Sequence, residues 1–550
     1  MQRICNVVLA FAFVISPLFF CGCSDDQLGM RTFSQAHESP DPAVLMFFVD
    51  GIDRSCFKTL IDEGKLPNIE TLFVKGGAGV TNAVTSIPSV TYPNATSFIT
   101  GCFPGHHGIL GNQWFDREEY FLRNYSTVAT YQSSNDDFEN PTLFEVLDDK
   151  LTVNVRFHTR RGVTKSYDRA IGVGIDWLLN RYEQADEQVG LSAPAVVNYA
   201  RAANRWPAVY LSYFPGLDAI GHLYGSDSAE YERGLIVVDQ AIGRIVEDVR
   251  KSHPDLNPYC VLTTDHSHVP ENPEKFADVC TWLKNSSKLR IHQGDGQGSI
   301  RSWRKAQFDR SDMVIVNGAY RRVAIHLKGK DGWQQRPSAE TVEHLIRPDE
   351  SGLCGGMPGI LLASIREDKN HVRVLTHHNA YKIERHEELG QKKYRVIEQS
   401  TPGARLANSK QSATTETADR LLRDWADGQW RSSHEWLNMT ATTEMPDFVP
   451  QMVEYFDSVR AGDVIFFADG DWSFYNIEKG GHGSCLAADM RIPMYFAGPD
   501  IPAGSEIPAA RLVDVMPTVL DMLGELKRLD NQPRIDGISL LPKLRGAARP

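Results

Sequence analysis

Five short segments carry side chains of the kind that hold transition metals. They are Asp50; Thr91; Asp218 with His222 in Asp-Ala-Ile-Gly-His; Asp265 with His266; and His482 in Gly-Gly-His-Gly-Ser. Carboxylate oxygen and imidazole nitrogen suit zinc and its neighbours. Asp218 and His222 are four residues apart, so one helical turn presents both to the same point. Asp265 and His266 adjoin, and at a strand end the chain can turn both toward one centre. These six Asp and His side chains divide into two sets of three, the donor count of a two-metal hydrolytic site. Each signal alone is common by chance; the specificity lies in the ordered set. His106, His107, His268, His377 and His378 fall outside it and are assigned to loop or capping positions.

The elements around these residues read as strands that deliver them. Ala43 to Val49 is a continuous apolar run ending in Asp50-Gly51, the pattern of a buried parallel strand that hands an acid to a loop. A helical pattern follows from about Ile52 to Lys75, broken at Pro67. Val84–Val90 is mixed and leads through Thr91-Tyr92-Pro93-Asn94 into a short helix ending at Gly101. Ala208 to Tyr213 reads as another buried strand. Glu230 to Val249 is helix-periodic, with Leu235, Val238, Ile242 and Val246 on one side. Tyr259 to Thr264 is a strand that stops at Asp265. Strands alternating with helices, each depositing polar residues at its carboxyl end, predict an α/β fold with its site at that edge.

The segment from about Gly294 to Arg460 is different, with Gly-rich and basic loops and two hairpin-like runs, Met313–Leu327 and His371–Ile397. We read it as an insertion or cap. Sheet character returns at Val464–Ala468 and Ile492–Phe496, and Arg511–Leu523 reads as a C-terminal helix. The expected division is a signal over 1–22, a tether over 23–42, a core over 43–293 and 461–550, and a cap over 294–460.

The chain has 550 residues and ordinary globular composition, 42% hydrophobic and 23% charged. Its net charge of −12 disfavours a nucleic-acid binder, which needs a basic footprint. An anionic substrate stays compatible, because metal ions supply positive charge locally. The long apolar run, Ile4 to Phe20, follows Arg3 and ends Phe20-Cys21-Gly22-Cys23-Ser24. It resembles a bacterial lipoprotein signal, which implies cleavage before an acylated Cys23, export, and a lipid anchor to a cell-envelope membrane, periplasmic or at the cell surface. Phe20 stands where such signals usually have Leu. Beyond this segment six cysteines remain; no C-x-x-C occurs among them, so neither a thiolate zinc ribbon nor a thioredoxin-like site is supported.

Taken together, the ordered set resembles the type I phosphodiesterase/nucleotide pyrophosphatase family of the alkaline phosphatase superfamily, over about residues 43–290 and 462–545. The most specific stretch is Pro88-Ser-Val-Thr-Tyr-Pro-Asn-Ala-Thr-Ser-Phe-Ile-Thr-Gly-Cys-Phe-Pro-Gly-His-His-Gly-Ile109, followed by Asn112 and Phe115-Asp116. Met494–Pro499 and Leu512–Gly524 look like the family's closing strand and helix. The resemblance implies an alkaline-phosphatase-like α/β fold with a mostly parallel central sheet flanked by helices and an inserted cap. It implies Thr91 as nucleophile and Asn112 as a phosphate contact. It implies two divalent ions, zinc the expected identity. One would be held by Asp218, His222 and His482, the other by Asp50, Thr91, Asp265 and His266. The expected substrate is a small anionic phosphoester, nucleotide- or phospholipid-derived. Ser267 stands where the family usually has Gly, and Leu217 where Pro is common; neither alters a donor.

A sulfatase would need C-x-[PS]-x-R, and Cys102-Phe-Pro-Gly-His106 has His for Arg. Phosphonoacetate hydrolase-like enzymes and phosphoethanolamine transferases also pair a threonine with two metals and remain open alternatives. A more distant alternative is a metal-binding surface lipoprotein without activity.

Overall fold

The computed structural model describes residues 41–127, 130–168, 179–293, 301–349, 351–399, 412–475 and 479–547. The expected signal, Cys23 and nearly all of the tether lie outside the described residues. Residues 41–550 form one compact unit.

The strand Val44–Val49 has every residue buried, because both faces of its sheet are covered. Leu45, Phe47 and Val49 pack in a core with Leu235, Val238 and Ile242 of the helix Ala229–Ser252. Val44, Met46 and Phe48 pack on the other side, with Ala95 and Phe98 of the helix Thr91–Thr100 and Met516 and Leu520 of the helix Val515–Met522. Side chains alternate across a strand, so a run apolar at every position needs helices on both faces.

In this sheet the strands run in the order Arg491–Ile492, Ala78–Val84, Met494–Ala497, Tyr259–Thr264, Val44–Val49, Val209–Phe214, Thr152–Val155, Lys165–Tyr167, with Ser505–Arg511 beside Ala78–Val84. Val44–Val49 is parallel to both neighbours, and Val49 stands opposite Phe214 on one side and Thr264 on the other. Three parallel strands therefore end level with one another. Met494–Ala497 runs antiparallel to Tyr259–Thr264.

Seven strands of the segment expected to be a cap belong to a second, nine-stranded sheet. Its order is Ile291–Gln293, Met313–Ala319, Arg322–Leu327, Val464–Ala468, Ile360–Arg366, His371–Leu375, Ala380–Glu388, Gln391–Gln399, Arg431–Ser432. Two strands that the sequence assigns to the core, Ile291–Gln293 and Val464–Ala468, belong to this second sheet. Val464–Ala468 is central in it, antiparallel to Arg322–Leu327 and to Ile360–Arg366. A short, fully apolar run reads the same in either sheet, so periodicity could not assign it.

Candidate active site

The level strand ends explain why three distant acids meet. Asp50 follows Val49, Asp265 follows Thr264, and Asp218 lies in the first turn of the helix Gly216–Tyr224 that follows Phe214. The turn after Asp50 is held tightly. Gly51 has φ +67°, and a Cβ there would lie 2.9 Å from Asp218 Oδ1, so glycine is required for Asp218 to come this close. The Gly51 N–H donates to Asp265 Oδ1 at 3.0 Å. The hydroxyl of Tyr231 donates to the Gly51 carbonyl and accepts from the Asp53 N–H at 2.7 Å.

Around these acids stand four imidazoles. His266 Nε2 is 3.2 Å from Asp265 Oδ2 and 3.5 Å from Asp50 Oδ1. His222 Nε2 is 3.3 Å from Asp218 Oδ2, and His482 Nε2 is 3.8 Å from Asp218 Oδ1. The fourth, His268, places Nε2 3.5 Å from Asp218 Oδ1. Three of the rings are oriented by backbone carbonyls. Nδ1 of His222 meets the Gly480 carbonyl at 2.8 Å, Nδ1 of His482 the Ser89 carbonyl at 2.9 Å, and Nδ1 of His266 the Ser267 carbonyl at 3.1 Å. A carbonyl can only accept, so Nδ1 carries a proton in each of these rings, and Nε2 is the nitrogen that faces the acids.

Thr91 opens the buried helix Thr91–Thr100. Its position suggests a helix cap, but the capping position is Val90 and no side chain caps this helix. The Thr91 hydroxyl instead lies 3.3 Å from His266 Nε2. The segment before it is pinned by Asn94, which accepts from the Ser86 N–H at 2.9 Å and donates to the carbonyls of Ser86, Pro88 and Val90. Asn112 accepts from the Tyr92 N–H through Oδ1 at 3.1 Å. With Oδ1 committed, what its side chain has left to offer an anion is the Nδ2 amide.

The electrostatics suit cations. Burial pushes the Asp50 carboxyl well up, and the charges of Asp265 and Asp218 add to that. Burial opposes ionisation of Asp218 as well, but His222, with His482 and His266, holds it well below the usual carboxylate range. Asp265 is held at about 2 against its burial, chiefly by His266. Asp50 Oδ1, Asp218 Oδ1 and Asp265 Oδ2 are buried and accept no hydrogen bond. Buried carboxylate oxygens without donors are costly unless a cation meets them. The donor separations of 3.2 to 3.8 Å match the roughly 3.4 Å edge of a tetrahedron of bonds near 2.1 Å. The residues therefore fit divalent ions. At this edge three donor sets have atoms within 4.8 Å of one another: Asp50, Asp265 and His266; Asp218, His266 and His482; and Asp218, His222 and His268. All seven expected metal-site residues thus gather at one sheet edge. The grouping differs from the expected one in that His482 clusters with His266, while His268 clusters with His222.

A sequence model of the type I phosphodiesterase/nucleotide pyrophosphatase family matches residues 44–348. The chain belongs to this family. Among curated relatives, an uncharacterized pyrophosphatase/phosphodiesterase of Schizosaccharomyces pombe is 24% identical over 237 residues, 41% of this chain and 44% of the relative. Ectonucleotide pyrophosphatase/phosphodiesterase 1 of Saccharomyces cerevisiae is 23% identical over 282 residues, 46% of this chain and 37% of the relative. The aligned regions span under half the length of these relatives. Among solved structures, murine ectonucleotide pyrophosphatase/phosphodiesterase 5 superposes with a TM-score of 0.56 at 13% identity, covering 92% of this chain and 100% of that one. An inactive variant of the same murine protein, in complex with AMP, gives a TM-score of 0.57. The fold is alkaline-phosphatase-like.

Within this family frame, the departures at Ser267 and Leu217 are local. Ser267 Oγ accepts from the Arg54 N–H at 3.3 Å, and Leu217 is buried in the core. Cys102, the residue nearest to a sulfatase motif, is a buried thiol whose ionisation burial strongly opposes. Of the histidines set aside in the sequence, His268 joins the site, and His106 joins a separate, partly buried ion network. Two further residues escaped sequence reading. Tyr320 packs its ring 4.3 Å from that of His222. Arg321 pairs with Asp489 at 2.8 Å with both side chains fully buried, and its N–H donates to the His482 carbonyl at 3.2 Å. Both sit in the turn between Met313–Ala319 and Arg322–Leu327, a surface-like hairpin signal in the sequence. Only the Arg-Asp pairing across 168 residues reveals their place.

Proposed function

We propose that the protein is a metal-dependent phosphodiesterase or nucleotide pyrophosphatase that works through a phospho-threonine at Thr91. The observation that carries this reading is the Thr91 hydroxyl 3.3 Å from His266 Nε2, beside three buried carboxylates with unpaired oxygens. The residues that would hold two ions are Asp218, His222 and His482 for one, and Asp50, Thr91, Asp265 and His266 for the other, with zinc favoured by the mixed imidazole and carboxylate donors. Bound there, divalent ions supply Lewis acidity and lower the pKa of the attacking hydroxyl.

The chain itself does the positioning. Thr91 Oγ attacks phosphorus, forming the Oγ–P bond as the bond to the leaving oxygen breaks, and the hydroxyl proton leaves with the departing group. Water then cleaves Oγ–P and frees the threonine. The N-terminus of the helix Thr91–Thr100 favours an anion beside Thr91. The Asn112 Nδ2 amide donates to a non-bridging oxygen, and the Asn112–Tyr92 bond holds that amide in place. The domain reading proposed with this function keeps the alkaline-phosphatase-like sheet as catalytic core and the second sheet as the cap that shapes substrate choice. The proposed substrate is a small anionic phosphoester, nucleotide- or phospholipid-derived.

The test compares chromogenic phosphodiester, phosphomonoester and phosphonate substrates on purified protein. Preferential turnover of the diester is expected. Preference for the phosphonate, or no turnover of any ester by metal-loaded protein, would overturn the reading. We further propose that the mature protein is exported and begins at an acylated Cys23, supported by the Gly22-Cys23 junction. Mass spectrometry of the mature chain should find no residue before Cys23. No described helix is long and apolar enough to cross a membrane.

A further inference from the structure

His268 is buried to 1% exposure, yet neither of its ring nitrogens has a hydrogen-bond partner. This is unusual for a buried imidazole, which normally satisfies at least one nitrogen. The ring is not simply misplaced in an apolar core. It lies 4.7 Å from the ring of His222 and 5.9 Å from that of His482, and Nε2 faces Asp218 Oδ1, itself without a hydrogen-bond donor, at 3.5 Å.

The surrounding backbone makes room for it. A Cβ at Gly221 would lie 2.7 Å from His268 Nε2, and one at Gly480 would lie 2.7 Å from its Cε1. Gly221 precedes His222, and Gly480 supplies the carbonyl that orients His222. Two glycines in the segments that carry and position His222 thus clasp the His268 ring. An apolar side chain would fill this space without the desolvation cost of two orphaned nitrogens. A cation shared with Asp218 and His222 removes that cost at Nε2, and the three donor atoms already lie within 4.8 Å of one another.

We propose that His268 is a metal ligand, joining Asp218 and His222 on one ion through Nε2, with His482 as the further donor beside Asp218. This rests on the metal-dependent reading above and extends it. With His268 this centre carries three imidazoles beside one carboxylate, which widens its excess of nitrogen donors over the Asp50 centre. Imidazole-rich sites suit zinc, cobalt and nickel, whereas magnesium, calcium and manganese prefer all-oxygen sites. The two centres should therefore differ in metal preference, the His268 centre discriminating more strongly against magnesium.

The experiment uses the full-length protein loaded with Co2+, with visible absorption recorded as a chelator withdraws the metal. The variants are His268→Leu, which keeps an apolar filling of similar size, and His222→Leu as the reference ligand loss. His268→Leu is expected to lower the affinity for one of two Co2+ ions by more than about tenfold, beyond the lower end of effects seen for residues that only support a ligand. It should also change the visible spectrum of that ion and leave the other ion's affinity as in the wild type. A folded His268→Leu protein that keeps wild-type affinity and spectrum at both ions, while His222→Leu loses one, would overturn the role of His268 and leave the metal reading standing. Retention of both ions by both variants would overturn the two together. Should His268→Leu not fold, His268→Gln, which keeps a polar side chain of similar length, is judged by the same affinity and spectral criteria.

Discussion

At the scale of single residues, the proposed nucleophile Thr91 does not serve as a helix cap. Its hydroxyl caps nothing, since the capping position of its helix is Val90 and no side chain serves there. Thr91→Ala should therefore leave the protein folded, with stability changed by about 1 kcal/mol or less, while turnover falls by orders of magnitude. Thr91→Ser should keep part of the activity because the hydroxyl survives. Asn112→Ala removes a donor rather than the attacking atom, so its loss should be smaller, roughly 10²–10³ in rate. Thermal melting together with steady-state kinetics on a chromogenic diester checks all three. A folded, metal-bound Thr91→Ala protein with near wild-type turnover would end the phospho-threonine mechanism.

At the scale of elements, the site is built from strand ends and then braced by a hairpin of the other sheet. His482 sits in a loop with little secondary structure of its own. That loop is held by Asp489, which accepts from the Ser484 N–H at 3.0 Å and pairs with Arg321. Arg321 also donates to the carbonyls of Trp472 and Gly470. Removing one partner of a fully buried ion pair strands the other charge. Arg321→Met should cost about 3–5 kcal/mol of stability and weaken metal binding through His482, although Arg321 touches no donor nitrogen. Chemical denaturation and metal titration of the variant check this. Unchanged stability would show that Asp489 finds another partner and that the hairpin does not brace the site.

At the scale of the whole molecule, the two sheets are tied together by ions as well as by apolar packing. His106 Nδ1 meets Asp536 Oδ2 at 2.6 Å, and its Nε2 meets Glu454 Oε2 at 2.7 Å and Asp457 Oδ2 at 3.2 Å. Arg385 and Lys392, from the second sheet, reach the same acids at 2.6 Å. This cluster could geometrically hold a metal, but its carboxylates are already met by protein cations. Burial opposes protonation of His106, yet hydrogen bonds to Asp457, Asp536 and Glu454 raise its pKa from 6.5 to about 11. A raised pKa stabilises the fold fully below the unfolded value, and that contribution is lost as pH rises through the folded value. Between about 6.5 and about 11, the wild-type melting temperature should fall more steeply with pH than that of His106→Gln. At neutral pH the variant should be less stable by about 1.5–3 kcal/mol, the range for a hydrogen bond to a charged group, because Arg385 and Lys392 remain. Melting curves across this pH range for both proteins test the sign. Parallel curves would show that His106 is neutral in the folded protein.

What the sequence determined by itself was local. Apolar runs ending at Asp50 and Asp265 marked strands whose ends carry acids, since a strand buried on both faces has no polar alternation to hide. The strand Tyr259–Thr264 has the boundaries read from the sequence, and the helix Ala229–Ser252 differs from the expected Glu230–Val249 only at its ends. The candidate Asp, His and Thr donors could be singled out because the order of their types along the chain is unusual. What only the tertiary structure decided depends on partners far apart in sequence. Val464–Ala468 joined the second sheet because its neighbours are Arg322–Leu327 and Ile360–Arg366, and strand pairing leaves no mark on one strand's own pattern. His268 looked like a loop histidine two residues past His266. Its place beside Asp218 and His222 arises because Gly221 and Gly480 leave space for its ring. His106, Arg321 and Tyr320 acquired their roles in the same way, from charges and rings that the fold brings to them across 98 to 430 residues. Spacing along the chain reports what one turn or one strand presents; which turns face each other is set by packing, and that is a property of the folded molecule alone.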